Sequence, residues 1–336
     1  MVTKWLITGG CGFIGRNLIR NLLEDGNHGI RVVDNLSVGS REDLNGVCDF
    51  TERSPDTMSI DHLSAQGVEL IVGDILDEQL AMDVTEHMDV IVHLAANTGV
   101  APSVENPRMD CVTNVLGTFN YLEAARMKNV GRFVFASSGA PAGECEPPIH
   151  EELPPHPVSP YGASKLAGEG YCSSYAKTFG VDTVALRFSN VYGPLSTRKD
   201  SVVAKFIKLA LEGKPLEIFG DGAQTRDFIH IDDLIRAVRL ASSVEGIGGE
   251  TFQIATAHET SIDEIVQMLT SLFQQLPDKH TISVQYSESR QGDVKRNFSD
   301  TSKAAKVLGW RPEISLYDGL EKTINWFIKI QNQDFS

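Results

Sequence analysis

With 336 residues, 41% hydrophobic and 22% charged, the chain carries enough apolar material for one large core or two adjoining ones, which excludes a largely disordered protein. A net charge of -15 and a pI near 5.0 exclude an extended nucleic-acid face, while a local basic pocket stays hidden in such a sum. Five scattered cysteines (Cys11, Cys48, Cys111, Cys145, Cys172) without a Cys-x-x-Cys pair, and nine histidines without ligand spacing, predict neither a disulfide framework nor a metal site.

The chain opens on "MVTKWLITGG", a strand-like run with no secretory leader, and no apolar stretch approaches the ~18 residues of a membrane span, so the expectation is a cytoplasmic protein without membrane contact. Between the first strand, "KWLIT", and an amphipathic helix in which Ile14, Leu18, Leu22 and Leu23 share a face stand Gly9, Gly12 and Gly15. Glycines there serve a tight turn, backbone approach to a pyrophosphate at the helix N-terminus, and close packing of helix on strand. The second strand, "IRVVD", ends in Asp34, 19 residues after Gly15. A carboxylate at that place accepts hydrogen bonds from the adenosine ribose and repels a 2'-phosphate, so NAD is favoured over NADP.

Cys48 to Gln66 shows no clear period and reads as a surface excursion. "VELIVGD" and "DVIVHLAA" follow, with Asp74 and the Leu94, Ala95 and Ala96 stretch at strand C-termini where ligands gather, although Asp after Gly is as common in plain turns. "RFVFASS" ends at Ser138 before the turn-like "GAPAGE", and "TVALRFS" is the sixth strand. Continuous apolar runs are what strands buried on both faces require. His93 and His230 lie in apolar, strand-like contexts and read as structural. From about Tyr192 the rhythm loosens into a helix in "SVVAKFIKLALEG", a short strand "LEIFG", the loop "DGAQTRDFIH", and helices in "SIDEIVQMLTSLF" and "SLYDGLEKTINWFIKI".

The expected fold class is α/β: a doubly wound parallel sheet of the Rossmann kind over residues 1–190, carrying the cofactor and the catalytic residues, and a smaller C-terminal α/β substrate lobe over 191–336. No linker separates the two, so the chain is free to cross between lobes that share a cleft.

"SPYGASKLAGEG" predicts a helix from near Pro160, with Tyr161 in its first turn and Lys165 four residues later on the same face. An ammonium one turn from a phenol lowers the phenol's pKa, and a phenolate near neutrality can take a proton from a sugar hydroxyl. Alone, the pair is a common surface arrangement. Together, however, "TGGCGFIG", "DNLSVGS", "HLAA", "ASS", "SPYGASK", "LRFSNVYGP", "RDFIHIDD" and "RQGDVKRNFSD" resemble, in order and spacing from Thr3 to about Phe327, the extended short-chain dehydrogenase/reductase family, in its nucleotide-sugar branch around UDP-glucose 4-epimerase.

The resemblance implies that Ser138, Tyr161 and Lys165 are catalytic. Tyr161 would take the proton from the sugar 4-hydroxyl while hydride passes from C4 to the nicotinamide, Lys165 would hold the nicotinamide ribose, and Ser138 would hydrogen-bond the reacting oxygen. The 4-keto sugar would then turn over and take hydride back on its other face. It further implies that Gly9, Gly12, Phe13, Ile14, Gly15, Asp34, Asn35, Ser37, Gly39, Asp74, Ile75, Leu94, Ala95, Ala96 and Asn114 join Tyr161 and Lys165 around NAD. Asn190, Val202, Phe219, Arg226, Arg290, Asp293 and Asn297 would join Ser138 around a UDP-sugar, with guanidinium forks for the diphosphate and an aromatic face for the uracil. A homodimer through a four-helix bundle, built on the segments Val112 to Arg126 and Tyr161 to Thr178, is implied as well.

Relatives that dehydrate hexoses carry Thr-Asp-Glu-Val-Tyr-Gly where this chain has Ser138, Gly139, Ala140, Pro141, Ala142 and Gly143, so elimination lacks its acid and base; decarboxylases are disfavoured by the same missing Glu. Uronate epimerases resemble "NVYGPLSTRKDS" but have Thr in place of Asn190 and Arg-Gln-Arg after the Gly-Pro, where Leu195, Ser196 and Thr197 stand here. Only Arg198 or Lys199 could meet a sugar carboxylate, and only if that loop shifts, so a neutral hexose is expected. Asn297 takes a place that a bulky aromatic fills in some relatives, leaving room for a C2 N-acetyl group and favouring the UDP-GlcNAc/UDP-GalNAc pair with UDP-Glc/UDP-Gal as further substrates. A non-catalytic NAD-binding scaffold is the alternative of a different class.

Overall fold

A computed structural model describes residues 2–57, 63–199, 201–277, 281–288 and 295–334. In the first half of the chain strands and helices alternate: β1 (Thr3–Thr8), α1 (Phe13–Asp25), β2 (His28–Asp34), α2 (Arg41–Asn45), β3 (Thr51–Arg53), β4 (Val68–Val72), α3 (Glu78–Val84), β5 (Val90–His93), α4 (Val100–Glu105), α5 (Pro107–Cys111), α6 (Gly117–Met127), β6 (Arg132–Ser138), α7 (Pro160–Phe179) and β7 (Thr183–Phe188). The second half holds β8 (Asn190–Tyr192), α8 (Val202–Leu211), β9 (Leu216–Phe219), β10 (Thr225–Arg226), β11 (Phe228–His230), α9 (Ile231–Ser243), β12 (Glu250–Ile254), β13 (Thr260–Ser261), α10 (Ile262–Gln275), β14 (Val284–Ser287) and α11 (Leu316–Asp334).

Eight strands form one sheet in the order β12-β7-β6-β5-β1-β2-β4-β3, and every pairing in it is parallel. The alternation of side chains along each apolar run sends neighbours to opposite cores. Trp5 and Ile7 of β1, Val134 and Ala136 of β6, and Val90 and Val92 of β5 pack on the face covered by α1 and α9. Leu6, Phe133, Phe135 and Ile91 pack on the face covered by α3, α6 and α7. Both faces are therefore dry, as the unbroken apolar runs require. A third core joins Phe206 and Ile207 of α8, Leu216 and Ile218 of β9, Leu269 and Phe273 of α10, and Ile324 and Phe327 of α11.

The stretch from Cys48 to Gln66 corrects the expectation of a plain surface excursion. Thr51–Arg53 is the edge strand β3, paired with β4 from Thr51 opposite Glu69 to Arg53 opposite Ile71. Its three residues are all exposed, so backbone pairing and not burial holds it, and no apolar period announces it. β12 comes from the second half of the chain yet pairs with β7, and α9 packs on α1, so the chain returns to the large sheet after it has begun the smaller core. Among the described residues no helix is long and apolar enough to cross a membrane, and no group of His, Cys, Asp or Glu could hold a metal ion.

Candidate active site

The strand order reverses at β1, with β2 on one side and β5 on the other, which opens a crevice at the carboxyl ends of these strands. The glycine turn fills it with backbone. Gly9 has a φ of 68°, and a Cβ there would stand 2.8 Å from the Ala95 nitrogen; a Cβ on Gly15 would stand 2.5 Å from the Gly10 Cα. Gly12 caps α1 with no side-chain hydrogen bond to the first turn, so the N–H groups of Phe13 and Ile14 lie at the positive end of the helix dipole. Asp34 closes β2: its Oδ2 accepts from the Cys11 N–H and its Oδ1 from the Leu36 N–H, both at 2.9 Å. Burial raises this carboxyl above its ordinary value, and those two donors pull it back. Asn35 donates to Asp74 Oδ2 at 3.1 Å, while Ser37 and Gly39 follow in the turn before α2 and Ile75 follows Asp74. Leu94, Ala95 and Ala96 continue β5, with the Leu94 N–H on the Thr8 carbonyl and the Ala95 N–H on Thr8 Oγ1. A bare helix N-terminus, a carboxylate for ribose hydroxyls and a Cβ-free cradle fit NAD.

Asn114, expected around NAD, stands where β5 gives way to the helices that lead to α7. It is buried in the π-helical turn Val112–Leu116, and its amide is spent on the protein: Oδ1 accepts from the Asn97 N–H at 2.7 Å, and Nδ2 reaches the Asn97 carbonyl, Asp110 and Ser164 at 3.0, 2.8 and 3.1 Å. It positions the chain between the cofactor crevice and α7. His93, read as structural, is fully buried between Thr8 and Thr118, and burial pushes its imidazole down to about 3.

The α7 N-terminus presents the expected pair. Ser159 caps it by accepting the Gly162 N–H at 3.1 Å, and Pro160 occupies the first turn, where its missing N–H costs nothing. Lys165 is buried; its Nζ donates to the Ala136 carbonyl of β6 at 2.8 Å and lies 5.9 Å from the centre of the Tyr161 ring. Burial pushes this ammonium down to about 8, against the pull of Asp110 and Glu169. The phenol departs from expectation. Burial pushes Tyr161 up to about 12, hydrogen bonding with Ser138 lowers it, and the Asp110 charge raises it further. Lys165 is not among the groups that move it, because its ammonium is turned to the Ala136 carbonyl.

After Ser138 the chain makes a single 3-10 turn, Ala140–Ala142, which the Ala140 N–H closes onto Ser138 Oγ at 3.2 Å. A Cβ added at Gly139 would meet nothing within 4 Å, so this wall is open.

A pocket of about 250 Å³ lies between β8, α8 and β9 and is lined by Asn190, Val202, Phe219 and Arg226, four of the residues expected around a UDP-sugar. Sequence reading missed two further polar linings. Lys205 of α8 stands with its Nζ 5.9 Å from the Phe219 ring centre, and Gln224 Nε2 donates to the Phe219 carbonyl at 2.7 Å. The helical period of "SVVAKFIKLALEG" puts Lys205 on the face of Val202, which was the available signal. Arg290 and Asp293 lie outside the described residues. Asn297 is half-buried in a segment whose Lys295 carbonyl accepts from Thr225 at 2.8 Å and whose Phe298 carbonyl accepts from Ile149 at 2.9 Å.

The loop after β8 is tied down. Arg198 pairs with Asp43 and donates to Ser40 at 3.3 Å, Arg16 donates to the Leu195 carbonyl at 2.8 Å, and Lys199 donates to the Val191 carbonyl at 2.7 Å.

The family model described as the NAD dependent epimerase/dehydratase family matches residues 5–255. The chain belongs to this family. Within it the chain falls in the nucleotide-sugar branch of extended short-chain dehydrogenases/reductases, and its cofactor is NAD. It is 36% identical over 332 residues to the UDP-glucose 4-epimerase of Mycolicibacterium smegmatis, covering 96% of this chain and 98% of that one. The solved UDP-N-acetylglucosamine 4-epimerase of Methanobrevibacter ruminantium superposes with a TM-score of 0.85 at 27% identity, covering 98% of this chain and 99% of that one. The UDP-glucuronic acid 4-epimerase of Bacillus cereus, solved with UDP-glucuronic acid and NAD, superposes with a TM-score of 0.83 at 32% identity, covering 98% and 100%.

Proposed function

We propose that this family member is a 4-epimerase of UDP-hexoses that prefers the UDP-GlcNAc/UDP-GalNAc pair and also turns over UDP-Glc and UDP-Gal. The carrying observation is the wall after Ser138: open space beside Gly139, and no acid or base from Gly139 to Gly143. Elimination from C5 and C6 has no group to move its protons there. What remains is proton transfer at one sugar oxygen, by Tyr161 with Ser138 and Lys165.

NAD, when bound, supplies the acceptor and donor of hydride at C4. Tyr161 Oη takes the proton from O4 and later returns it, and Ser138 Oγ holds O4 within reach. Lys165, with its Nζ held by the Ala136 carbonyl, would hold the nicotinamide ribose. Phe219, Arg226 and Lys205 suit the nucleoside diphosphate, because an aromatic face and cations in one pocket can hold one end of the substrate while the hexose turns. Asn297, Gly139, Ala140 and Ala142 leave room for that turn.

A uronate is the second reading, favoured by the likeness to a UDP-glucuronic acid 4-epimerase. Against it, Arg198 is paired with Asp43 and Lys199 is held by the Val191 carbonyl, so neither cation is offered to a sugar carboxylate. Proton NMR of the NAD-loaded protein with UDP-GlcNAc, UDP-Glc, UDP-glucuronate, dTDP-Glc and GDP-mannose tests both. Interconversion of UDP-GlcNAc and UDP-GalNAc is expected; exchange confined to UDP-glucuronate, or no exchange with any sugar, overturns the proposal.

The reading includes a homodimer. Met109 of α5, Leu116 in the π-helical turn, and Tyr171 and Phe179 of α7 are large apolar side chains left exposed on neighbouring helices, the face that a second copy would cover.

A further inference from the structure

Two buried carboxylates act on Lys165, and only one of them has an arginine. Glu169, one turn after Lys165 on α7, is gripped by Arg187 of β7 through Nε at 2.8 Å and Nη2 at 2.7 Å. Asp110 of α5 is fully buried. Its Oδ2 accepts from Asn114 Nδ2 at 2.8 Å and from Ser164 Oγ at 3.4 Å, while its Oδ1 has no partner among the described residues. Ser164 precedes Lys165 in the chain and its hydroxyl also reaches the Tyr161 carbonyl at 3.0 Å, so the carboxylate is fixed against the turn of α7 that carries both catalytic groups. With Glu169 matched by Arg187, Asp110 is left as the buried carboxylate near this turn without an ion pair among the described residues. An uncompensated buried charge is costly, and neither Asp110 nor Lys165 is in a direct ion pair among the described residues, Lys165 Nζ being held by the Ala136 carbonyl.

We propose that Asp110 is the counter-ion of Lys165 and the positioning residue that sets the pH range over which the Tyr161 and Lys165 pair works. This rests on the epimerase reading given above. Asp110, Glu169 and Cys172 are the ionisable groups that act on Lys165, and the nearby imidazole of His93 on β5 senses the lysine in turn. Asp110 and Ser138 are the neighbours that act on the phenol. The Asp110 charge holds a proton on both groups, since it stabilises an ammonium and repels a phenolate. Removing that charge lets both release protons more easily, so both limbs of the pH profile move in one direction, to lower pH.

The test compares the NAD-loaded wild type with Asp110→Asn, Asp110→Ser and Ser164→Ala. Two readouts are taken: the pH profile of kcat for sugar exchange, and ultraviolet titration of the Tyr161 phenol, taken as the difference between each protein and its Tyr161→Phe counterpart. In both Asp110 variants the profile and the phenol midpoint are expected to fall by about one pH unit, whereas Ser164→Ala, which removes a hydroxyl and no charge, leaves them in place. Unchanged midpoints in the Asp110 variants overturn the proposal. So does loss of fold or of NAD in both of them while Ser164→Ala stays intact, because the carboxylate would then be a packing element. If the wild type exchanges no sugar, the phenol titration still decides the role of Asp110 while the epimerase reading falls separately.

Discussion

Glu169 grips Arg187 with both carboxylate oxygens, at 2.8 and 2.7 Å, with each side chain about 6% exposed, directly behind the strand that ends in Ser138. The Ser137 hydroxyl donates to the same carboxylate at 2.5 Å, so β6, β7 and α7 meet on one buried anion. Glu169→Gln leaves the guanidinium buried without its charge partner, and loss of one member of such a pair costs on the order of 3 kcal/mol. Urea unfolding is expected to show that loss. A double replacement, Glu169→Leu with Arg187→Met, removes both charges and is expected to recover most of it.

Above about pH 8.5 the chain is expected to lose stability with rising pH. Burial raises the Cys11 and Cys172 thiols and the Tyr121 and Tyr192 phenols, so the unfolded chain sheds protons there that the native one keeps. The native state then binds more protons than the unfolded, which makes the slope negative. Lys165 and Lys199 act oppositely: burial pushes both down to about 8, so between there and the ordinary lysine value of about 10.4 the unfolded chain holds protons the native one has released. Urea midpoints from pH 8 to 10 are expected to fall, and to fall more steeply in Lys199→Met; a rise in the wild type counts against the buried thiols and phenols as the larger effect.

The sequence carried the sheet because Ile7, Val92 and Val134 each stand in an unbroken apolar run whose alternate side chains enter opposite cores, which a strand covered on both faces needs. Thr51, Glu52 and Arg53 were illegible for the converse reason: an exposed edge strand is fixed by backbone pairing to β4, which leaves no mark on side-chain pattern. Tyr161 and Lys165 were legible by spacing, yet the balance of charge around them was not. Asp110 looks like any helix aspartate, and only the packing of α5 against α7 sets it against Ser164, next to Lys165 in the chain. The spacings Asp110 to Asn114 and Lys165 to Glu169, each one helical turn, were the available signals.

Tyr161→Phe removes the hydroxyl proposed to take the O4 proton and keeps the ring in place. Sugar exchange is expected to drop by roughly 10²–10⁴, the usual contribution of a positioned acid or base, with NAD content after purification unchanged. Retained exchange in this variant would move the proton transfer to another group; loss of NAD would make Tyr161 a cofactor ligand first.

Leu116 is 52% exposed and Phe179 is 53% exposed, on the helical face assigned to the second copy. A carboxylate placed in an apolar interface must be desolvated, whereas on a free surface it costs little. Leu116→Asp with Phe179→Asp is therefore expected to give a folded monomer where the wild type sediments as a dimer. A wild-type monomer at micromolar concentration, measured by analytical ultracentrifugation, removes the homodimer.

Asn297 sits in a segment held at Lys295 to Thr225, beside Arg226, and at Phe298 to Ile149, beyond the turn that follows Ser138. On the proposed reading a small side chain at Asn297 leaves room for a C2 N-acetyl group, and Asn297→Tyr is the substitution that would fill it. A hydroxyl at C2 tolerates the ring and an acetamide does not, so kcat/KM for UDP-GlcNAc is expected to fall at least about tenfold relative to UDP-Glc, corresponding to roughly 1.4 kcal/mol or more of steric discrimination. The same variant should leave NAD content and Tm near those of the wild type, because the residue is only half-buried. An unchanged ratio of the two substrates would place the N-acetyl group elsewhere, beside Gly139 and Ala140, and Gly139→Val would then become the substitution that separates them.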